Sequence, residues 1–352
     1  MLRKLKYLFV YTTPVIVLLS IMLPGWWSYL ALIVLFGLLP FLELFTKGSK
    51  ENLSRLEEEM ALKDKTFDII IYGLVPAQYA VVGYFLFTMQ NEMPVYEWIG
   101  NVIALGLSCG VIGINAAHEL GHRLTKYEQN MSKALLLTSM YMHFFIEHNR
   151  GHHKHVSTDE DPASARYGEP LYLFLVRSIA GSWISAWKLE KEKLDLQKKP
   201  FWSLHNEMLR FQLIQLLFLV AIYFFFGLNA LIAFMVSATF GFLLLETVNY
   251  IEHYGLRRKK KGEGYERTLP IHSWNSNHPI GRLFLLELSR HSDHHYIASR
   301  KYQVLRHFEE SPQMPTGYPG MMLLSLFPPL WFRVMHKTIS NYKSTEKGVS
   351  LG

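Results

Sequence analysis

Three long stretches of this sequence contain no lysine or arginine, namely residues 7–46, 67–120 and 211–256. All 36 basic residues of the chain lie outside these stretches. Each stretch is predominantly apolar and long enough for two helices of the ~20 residues that cross a bilayer. Because unpaired backbone groups are costly in lipid, apolar spans of this length fold as helices. The sequence therefore predicts an all-α, polytopic membrane protein.

We predict six transmembrane helices, arranged as three pairs. The first pair turns at Pro24-Gly25 and the last pair turns at Gly227. With six spans, the four segments that carry lysine and arginine all lie on one side, which the positive-inside rule makes cytoplasmic. We expect residues 1–352 to form one membrane domain with its catalytic segments, 121–210 and 252–352, on that side. The predicted spans are 8–23, 27–45, 67–89, 95–120, 211–226 and 228–251.

Charge and cysteine content narrow the classes of partner. The net charge is +7, and a basic excess favours nucleic acid, anionic lipid or an acidic protein. No segment resembles a nucleic-acid-binding module, so we expect membrane lipid and an acidic protein, and no nucleic acid. Cys109 is the only cysteine of the sequence, which excludes an internal disulfide and any thiolate cluster.

Nine of the sixteen histidines form tight clusters, and these predict a metal site. Neutral imidazole binds first-row metals, and spacings of three or four residues direct two rings from one helical turn toward one ion. Nine imidazoles exceed the capacity of one ion, so we predict two. The HELGH segment also fits the zinc-protease pattern, but a protease would leave seven clustered histidines unexplained. The predicted ligands are His118, His122, His148, His152, His153, His253, His291, His294 and His295.

Polar residues inside the predicted spans are candidates for a supporting role. Glu246 lies in the sixth span with Asn249 and His253 at i+3 and i+7, and Asn115 precedes His118 by three residues. A buried acid in a membrane helix is costly and is usually functional; the alternative is a structural hydrogen bond between helices. Acids next to the ligands could accept a ring N–H and fix its orientation: Glu119, Glu147, Glu252 and Asp293. We expect the other seven histidines to be structural or solvent-facing.

Several motifs, in this order along the chain, resemble the bacterial membrane alkane monooxygenases. They are HELGHR, EHNRGHHKHVSTDEDPASAR, NYIEHYGL, HSWNSNHPIGRLFLLELSRHSDHHY and PQMPTGYPGMM. Fatty-acid desaturases share the histidine clusters but not NYIEHYGL or the SWNSNH segment. The resemblance implies a non-haem di-iron centre held by the nine clustered histidines, with O2 as co-substrate.

The resemblance also implies an activity and its partners. We expect hydroxylation of the terminal carbon of a linear alkane that arrives from the lipid, with fatty-acyl desaturation or aryl-methyl hydroxylation as alternatives. The sequence contains no flavin-binding or nucleotide-binding motif and too few cysteines for a rubredoxin domain. We therefore expect electrons from a separate rubredoxin, reduced by rubredoxin reductase. The expected location is the bacterial inner membrane, with the active site toward the cytoplasm.

Overall fold

The computed structural model describes residues 2–345, whose regular secondary structure is almost entirely helical. They form two compact units. The first unit comprises residues 2–34, 66–151 and 182–245, and the second comprises residues 35–65, 152–181 and 246–345. The all-α prediction is confirmed, whereas the assignment of residues 1–352 to one membrane domain stays a prediction.

The helices follow one another with few long connections. Up to residue 155 the α-helices are α1 (Leu2–Leu5), α2 (Thr12–Met22), α3 (Leu30–Leu32), α4 (Leu39–Glu43), α5 (Arg55–Lys63), α6 (Thr66–Thr88), α7 (Val95–Ser108), α8 (Asn115–Gly121), α9 (Lys126–Leu137), α10 (Phe144–Glu147) and α11 (His153–His155). The later ones are α12 (Leu171–Leu196), α13 (Glu207–His253), α14 (Pro279–Phe284), α15 (His291–Tyr296), α16 (Tyr318–Ser325) and α17 (Pro328–Thr345).

Turns of other types separate or extend these helices. The 3₁₀ turns are Lys6–Tyr11, Gly25–Tyr29, Pro270–His272 and Tyr302–Val304, and the π-helical turns are Ile33–Leu38, Cys109–Ile114 and His148–His152. Two strands of two residues each, β1 (Lys260–Lys261) and β2 (Gly264–Tyr265), form an antiparallel pair.

Within the described residues, four helical segments are long and apolar enough to cross a membrane. They are Gly25–Glu43, Thr66–Thr88, Val95–Gly121 and Glu207–His253, and Lys6–Met22 is apolar but shorter. The chain is therefore a multi-pass membrane protein. The predicted second, third and fourth spans each match one of these segments.

The predicted fifth and sixth spans both lie in α13. A straight helix of its 47 residues would be about 70 Å long, more than twice the ~30 Å hydrocarbon core. However, α13 is not continuous, because Gly227 has φ 83° and ψ 177°. The first part of α13 leaves large apolar side chains exposed, including Leu216, Phe224 and Phe225, as expected of a surface that lipid covers.

In the first unit, small residues let the fourth span approach α13 closely. A Cβ at Gly106 would lie 2.5 Å from Phe240 Cδ1, and a Cβ at Gly241 would lie 2.6 Å from Cys109 Cβ. Membrane helices commonly pack through such small residues, because packing rather than water exclusion holds them together. This contact fixes the helical stretch that ends in α8, which carries two of the clustered histidines.

In the second unit, Arg290 stabilises the segment that precedes α15 through hydrogen bonds. Its guanidinium donates to the carbonyl oxygens of Leu305 at 2.6 Å and Glu51 at 2.7 Å. Asn275 forms a parallel bridge with Gln313. These bonds hold three loops around the short helix α15, which is too short to be stable alone.

We predict that Gly227→Ala lowers the free energy of unfolding by about 1–3 kcal/mol, because only glycine adopts this backbone conformation without strain. A Cβ at Gly227 would meet no atom within 4 Å, so the backbone alone causes the loss. Thermal unfolding in detergent micelles measures it. Gly83→Ala in α6 is the control, since Gly83 has the same open space and an ordinary φ. We expect this control to be neutral or stabilising; equal Tm values for both variants would contradict the prediction.

Candidate metal centre

Three clustered histidines meet in the first unit. His118 and His122 lie four residues apart at the end of α8, and His148 begins the π-helical turn after α10. Nε2 of His122 lies 3.1 Å from Nε2 of His148, and the ring centroids of His118 and His148 are 4.5 Å apart. His118 and His148 are buried. The spacing of four on one helix therefore places both rings of HELGH close to the ring of His148.

Four further histidines converge in the second unit, and all four are buried. One ring nitrogen from each lies within 4.8 Å of the others. Nε2 of His295 is 3.2 Å from Nε2 of His152 and 2.9 Å from Nε2 of His291, which is itself 3.2 Å from Nε2 of His253. We call His152, His253, His291 and His295 the histidine quartet.

The remaining two clustered histidines form a pair in the second unit. Nε2 of His153 lies 3.1 Å from Nε2 of His294. Each of these residues neighbours a member of the quartet in sequence. Within its own unit, each of the nine predicted ligands thus lies next to at least one other clustered histidine.

The donor atoms of the quartet fit a first-row metal ion. Adjacent ligands on an octahedral ion with metal–nitrogen bonds of ~2.1 Å are ~3.0 Å apart, close to the separations of 2.9–3.2 Å in the quartet. Burial lowers the pKa of His295 well below its usual value, and the neighbouring His291 lowers it further. A neutral imidazole is the form that binds metal. The histidine clusters therefore fit a metal site.

Asp161 orients one member of the quartet, and sequence reasoning missed it. Its Oδ2 lies 2.9 Å from Nδ1 of His152, while Nε2 of the same ring lies 3.2 Å from Nε2 of His295. Burial by itself would raise the pKa of Asp161, but the charge and hydrogen bond of His152 lower it to about 2. Ser164 Oγ and the Ala163 backbone N–H also donate to this carboxylate. Its signal in the sequence is the DEDP segment at residues 159–162, in which Asp161 follows His152 by nine residues.

The acids that do neighbour the ligands have varied partners. Oε2 of Glu252 lies 3.1 Å from Nε2 of His291. The acid therefore faces a histidine of another segment, and not His253, which follows it in sequence. Asp293 pairs with Arg306 at 2.9 Å and with Arg300 at 3.2 Å. In the first unit, Glu119 forms a 2.8 Å ion pair with Arg123, and Ser185 Oγ lies 3.5 Å from Glu147.

The two polar candidates inside the spans differ in their surroundings. Glu246 accepts a 2.5 Å hydrogen bond from Ser178, which links α13 to α12, and Asn249 Nδ2 lies 3.4 Å from the same oxygen. Asn115, three residues before His118, is buried, and its Nδ2 has no hydrogen-bond partner within residues 2–345. The bond to Ser178 is of the structural kind that we considered for Glu246.

Among the other seven histidines, several are buried. Burial lowers the pKa of His143 to about 4. His272 lies 3.2 Å from Glu266, and burial lowers its pKa to about 4 despite that acid. Nδ1 of His307 lies 3.0 Å from Asn277 Nδ2. That these three residues have a structural role stays a prediction.

Membrane-length helices combined with buried, converging histidines define a membrane protein with a histidine-rich metal site. Comparison with known proteins places the chain more narrowly. The family model described as fatty acid desaturase matches residues 96–325. The chain is 39% identical to alkane 1-monooxygenase 2 of Pseudomonas aeruginosa, over 99% of this chain and 95% of that protein. It is also 38% identical to the alkane 1-monooxygenase of Ectopseudomonas oleovorans, over 94% and 84%.

A more distant relative is the xylene/toluene monooxygenase hydroxylase component of Pseudomonas putida. It is 29% identical over 77% of this chain and 73% of that protein. On the nearly complete matches above, the chain belongs to the alkane 1-monooxygenase family and, more broadly, to the fatty acid desaturase family. The resemblance seen in the sequence motifs is thereby confirmed.

We predict that Asp161→Asn weakens metal binding about 10- to 100-fold, because residues that orient a metal-binding histidine typically contribute this much. The amide removes the charge that holds His152 and favours other ring orientations. Metal titration of the purified apoprotein measures the change. Asp159→Asn is the matched control, since the Asp159 side chain is 71% exposed. Equal metal affinities for both variants would argue against an orienting role.

Proposed function

We propose that this chain is an alkane 1-monooxygenase, which inserts one atom of O2 into a terminal C–H bond of a linear alkane. The reaction consumes an alkane, O2, two electrons and two protons, and yields the 1-alcohol and water. The observation that carries the proposal is the set of nine clustered histidines in a chain 39% identical, over 99% of its length, to an alkane 1-monooxygenase.

Two non-haem irons are the proposed cofactors. The quartet would hold one ion, and nine imidazoles exceed what one four- to six-coordinate ion can bind. Bound iron would supply the activation of O2 and the oxidation of the C–H bond. The chain's own residues would hold the ions in place, with Asp161 orienting His152 and Glu252 beside His291. Burial of the quartet keeps bulk water away from the reacting groups.

We further propose six spans with the metal site toward the cytoplasm of the bacterial inner membrane. The break at Gly227 divides α13 into segments 207–226 and 228–253, each long enough for one span. Lys6–Met22 would be the first span. Because this segment is short, its axis would lie close to the bilayer normal. The distribution of lysine and arginine supports the orientation. The substrate would then arrive from the lipid between apolar helices.

Terminal selectivity would arise from geometry. Secondary C–H bonds are weaker than primary ones, so chemistry alone favours the interior of the alkane. A narrow path that admits the chain end first leaves only the methyl group within reach of the metal site. Holding the reacting atoms together contributes up to ~7–11 kcal/mol, which exceeds the difference between the two bond types.

The similarity to the xylene/toluene monooxygenase component supports aryl-methyl hydroxylation as the second candidate. A methyl group on an aromatic ring presents the same primary carbon to the metal site. The aromatic ring is wider than an alkyl chain, so the two substrates differ mainly in the width of the path they require.

We predict that whole cells expressing the chain convert linear alkanes of graded length mainly into 1-alcohols. Under 18O2 the alcohol should carry one labelled oxygen. His148→Ala should abolish turnover, whereas His205→Ala, at an exposed position, should not. Gas chromatography with mass spectrometry identifies the products. Mainly 2- and 3-alcohols would refute the end-first path, and faster turnover of toluene or xylene would favour the second candidate.

A separate rubredoxin, reduced by rubredoxin reductase, is the proposed electron donor. Oxygen activation requires two electrons per turnover, and the sequence contains one cysteine, whereas a rubredoxin iron needs four. Rubredoxins are generally acidic. This chain carries a net charge of +7, with lysines 259–261 exposed. Opposite charges steer the encounter of two proteins and raise the association rate.

We predict that turnover at limiting rubredoxin falls as the ionic strength rises from ~0.05 to ~0.5 M. Screening shortens to a few ångströms over this range and removes the electrostatic steering. Steady-state oxidation of NADH with excess reductase measures the rate. The control is the same titration at saturating rubredoxin, where docking no longer limits turnover. A flat response at limiting rubredoxin would indicate apolar docking.

A further inference from the structure

The PQMPTGYPGMM segment, residues 312–322, contains none of the clustered histidines, yet it contacts the loops that surround them. Asn275 N–H donates to the Pro312 carbonyl at 2.8 Å, and Met314 N–H donates back to the Asn275 carbonyl at 2.8 Å. The segment then enters α16 at Tyr318, whose side chain is 1% exposed. A buried tyrosine normally needs a partner for its hydroxyl.

Tyr318 connects this segment to the quartet through Glu252. Its hydroxyl donates to Oε1 of Glu252 at 2.7 Å, and Oε2 of Glu252 lies 3.1 Å from Nε2 of His291. The same nitrogen lies 2.9 Å from Nε2 of His295 and 3.2 Å from Nε2 of His253. The carboxylate oxygen therefore faces the ring nitrogens that meet in the quartet.

Glu252 is a buried acid whose ion-pair contact among the described residues is with the imidazole of His291. It is 1% exposed, and within residues 2–345 no lysine or arginine forms an ion pair with it. Asp293, by comparison, is paired with Arg300 and Arg306. A buried carboxylate is costly unless it is paired or coordinates a metal. A divalent cation among the four imidazoles would supply the opposite charge.

We propose that Glu252 supplies a carboxylate oxygen to the metal ion of the quartet, and that Tyr318 is a positioning residue that aims it. The proposal rests on the metal site of the proposed function and adds a fifth donor to the four histidines. A carboxylate lowers the net charge of the buried ion and its ligands from +2 to +1. The hydroxyl of Tyr318 leaves Oε2 as the oxygen that faces the ion.

The position of Tyr318 is fixed by a second buried acid. Glu43, at the end of α4, accepts a 2.8 Å hydrogen bond from the Gly281 N–H. A Cβ at Gly317 would overlap Oε2 of Glu43, so only glycine fits next to Tyr318. The glycine before Tyr318 thus lets α16 begin against this carboxylate.

Cobalt(II) titration of the purified apoprotein, followed by its visible absorption, tests the proposal without turnover. We expect two binding phases in the wild type. In Tyr318→Phe, one phase should weaken about 10- to 100-fold, as for other residues that orient ligands, while the other phase is unchanged. Glu252→Gln keeps an acceptor for the tyrosine but removes the charge, and it should weaken the same phase at least as much.

Tyr250→Phe is the matched control. Tyr250 is equally buried, and its hydroxyl donates a 2.7 Å hydrogen bond to the Glu169 backbone carbonyl. A general loss of stability would affect both binding phases and both tyrosine variants. Equal affinities in Tyr318→Phe and Tyr250→Phe, or an unchanged Glu252→Gln, would overturn the proposal. A wild type that binds no cobalt would instead refute the metal site of the proposed function.

Discussion

Four ring nitrogens lie within 2.9–3.2 Å of their neighbours in the second unit, and this contact governs the rest of the site. Imidazoles in this arrangement direct their nitrogens at the same small volume. A buried polar atom left unsatisfied costs about 1–3 kcal/mol. A cation bound in that volume would coordinate the nitrogens and remove this cost. Metal binding and folding of this unit should therefore be coupled.

The groups around the quartet serve to keep its rings in place. His291 and His295 share one face of the six-residue helix α15, which cannot hold its shape alone. Arg290 ties the start of α15 to two loops, and Asp293 within it is held by Arg300 and Arg306. The polar side chains of this unit therefore stabilise the position of α15 and of the two histidine rings that it carries.

Local patterns were sufficient to predict much of this molecule. The HxxHH spacing of His291, His294 and His295 places three rings on one short helix, and Gly227 interrupts α13 where the sixth span was predicted to begin. Contacts between distant segments were not predictable in this way. Tyr318 and Glu252 are 66 residues apart, and Asp161 reaches His152 across a turn. No periodicity in the sequence encodes such pairs, because they depend on how the loops fold back.

The π-helical turn at Cys109–Ile114 has a consequence for how sequences of this kind can diverge. Such a turn contains one residue more than an α-helical turn. Because each α-helical residue advances about 100° around the axis, the wide turn accommodates its extra residue without turning His118 and His122 away from the direction they would have on a regular helix. A change of length elsewhere between the packed glycines and these histidines would rotate both rings by about 100° per residue about the helix axis. The π turn is thus the place in this span where one residue can be gained or lost while the two histidines keep their direction.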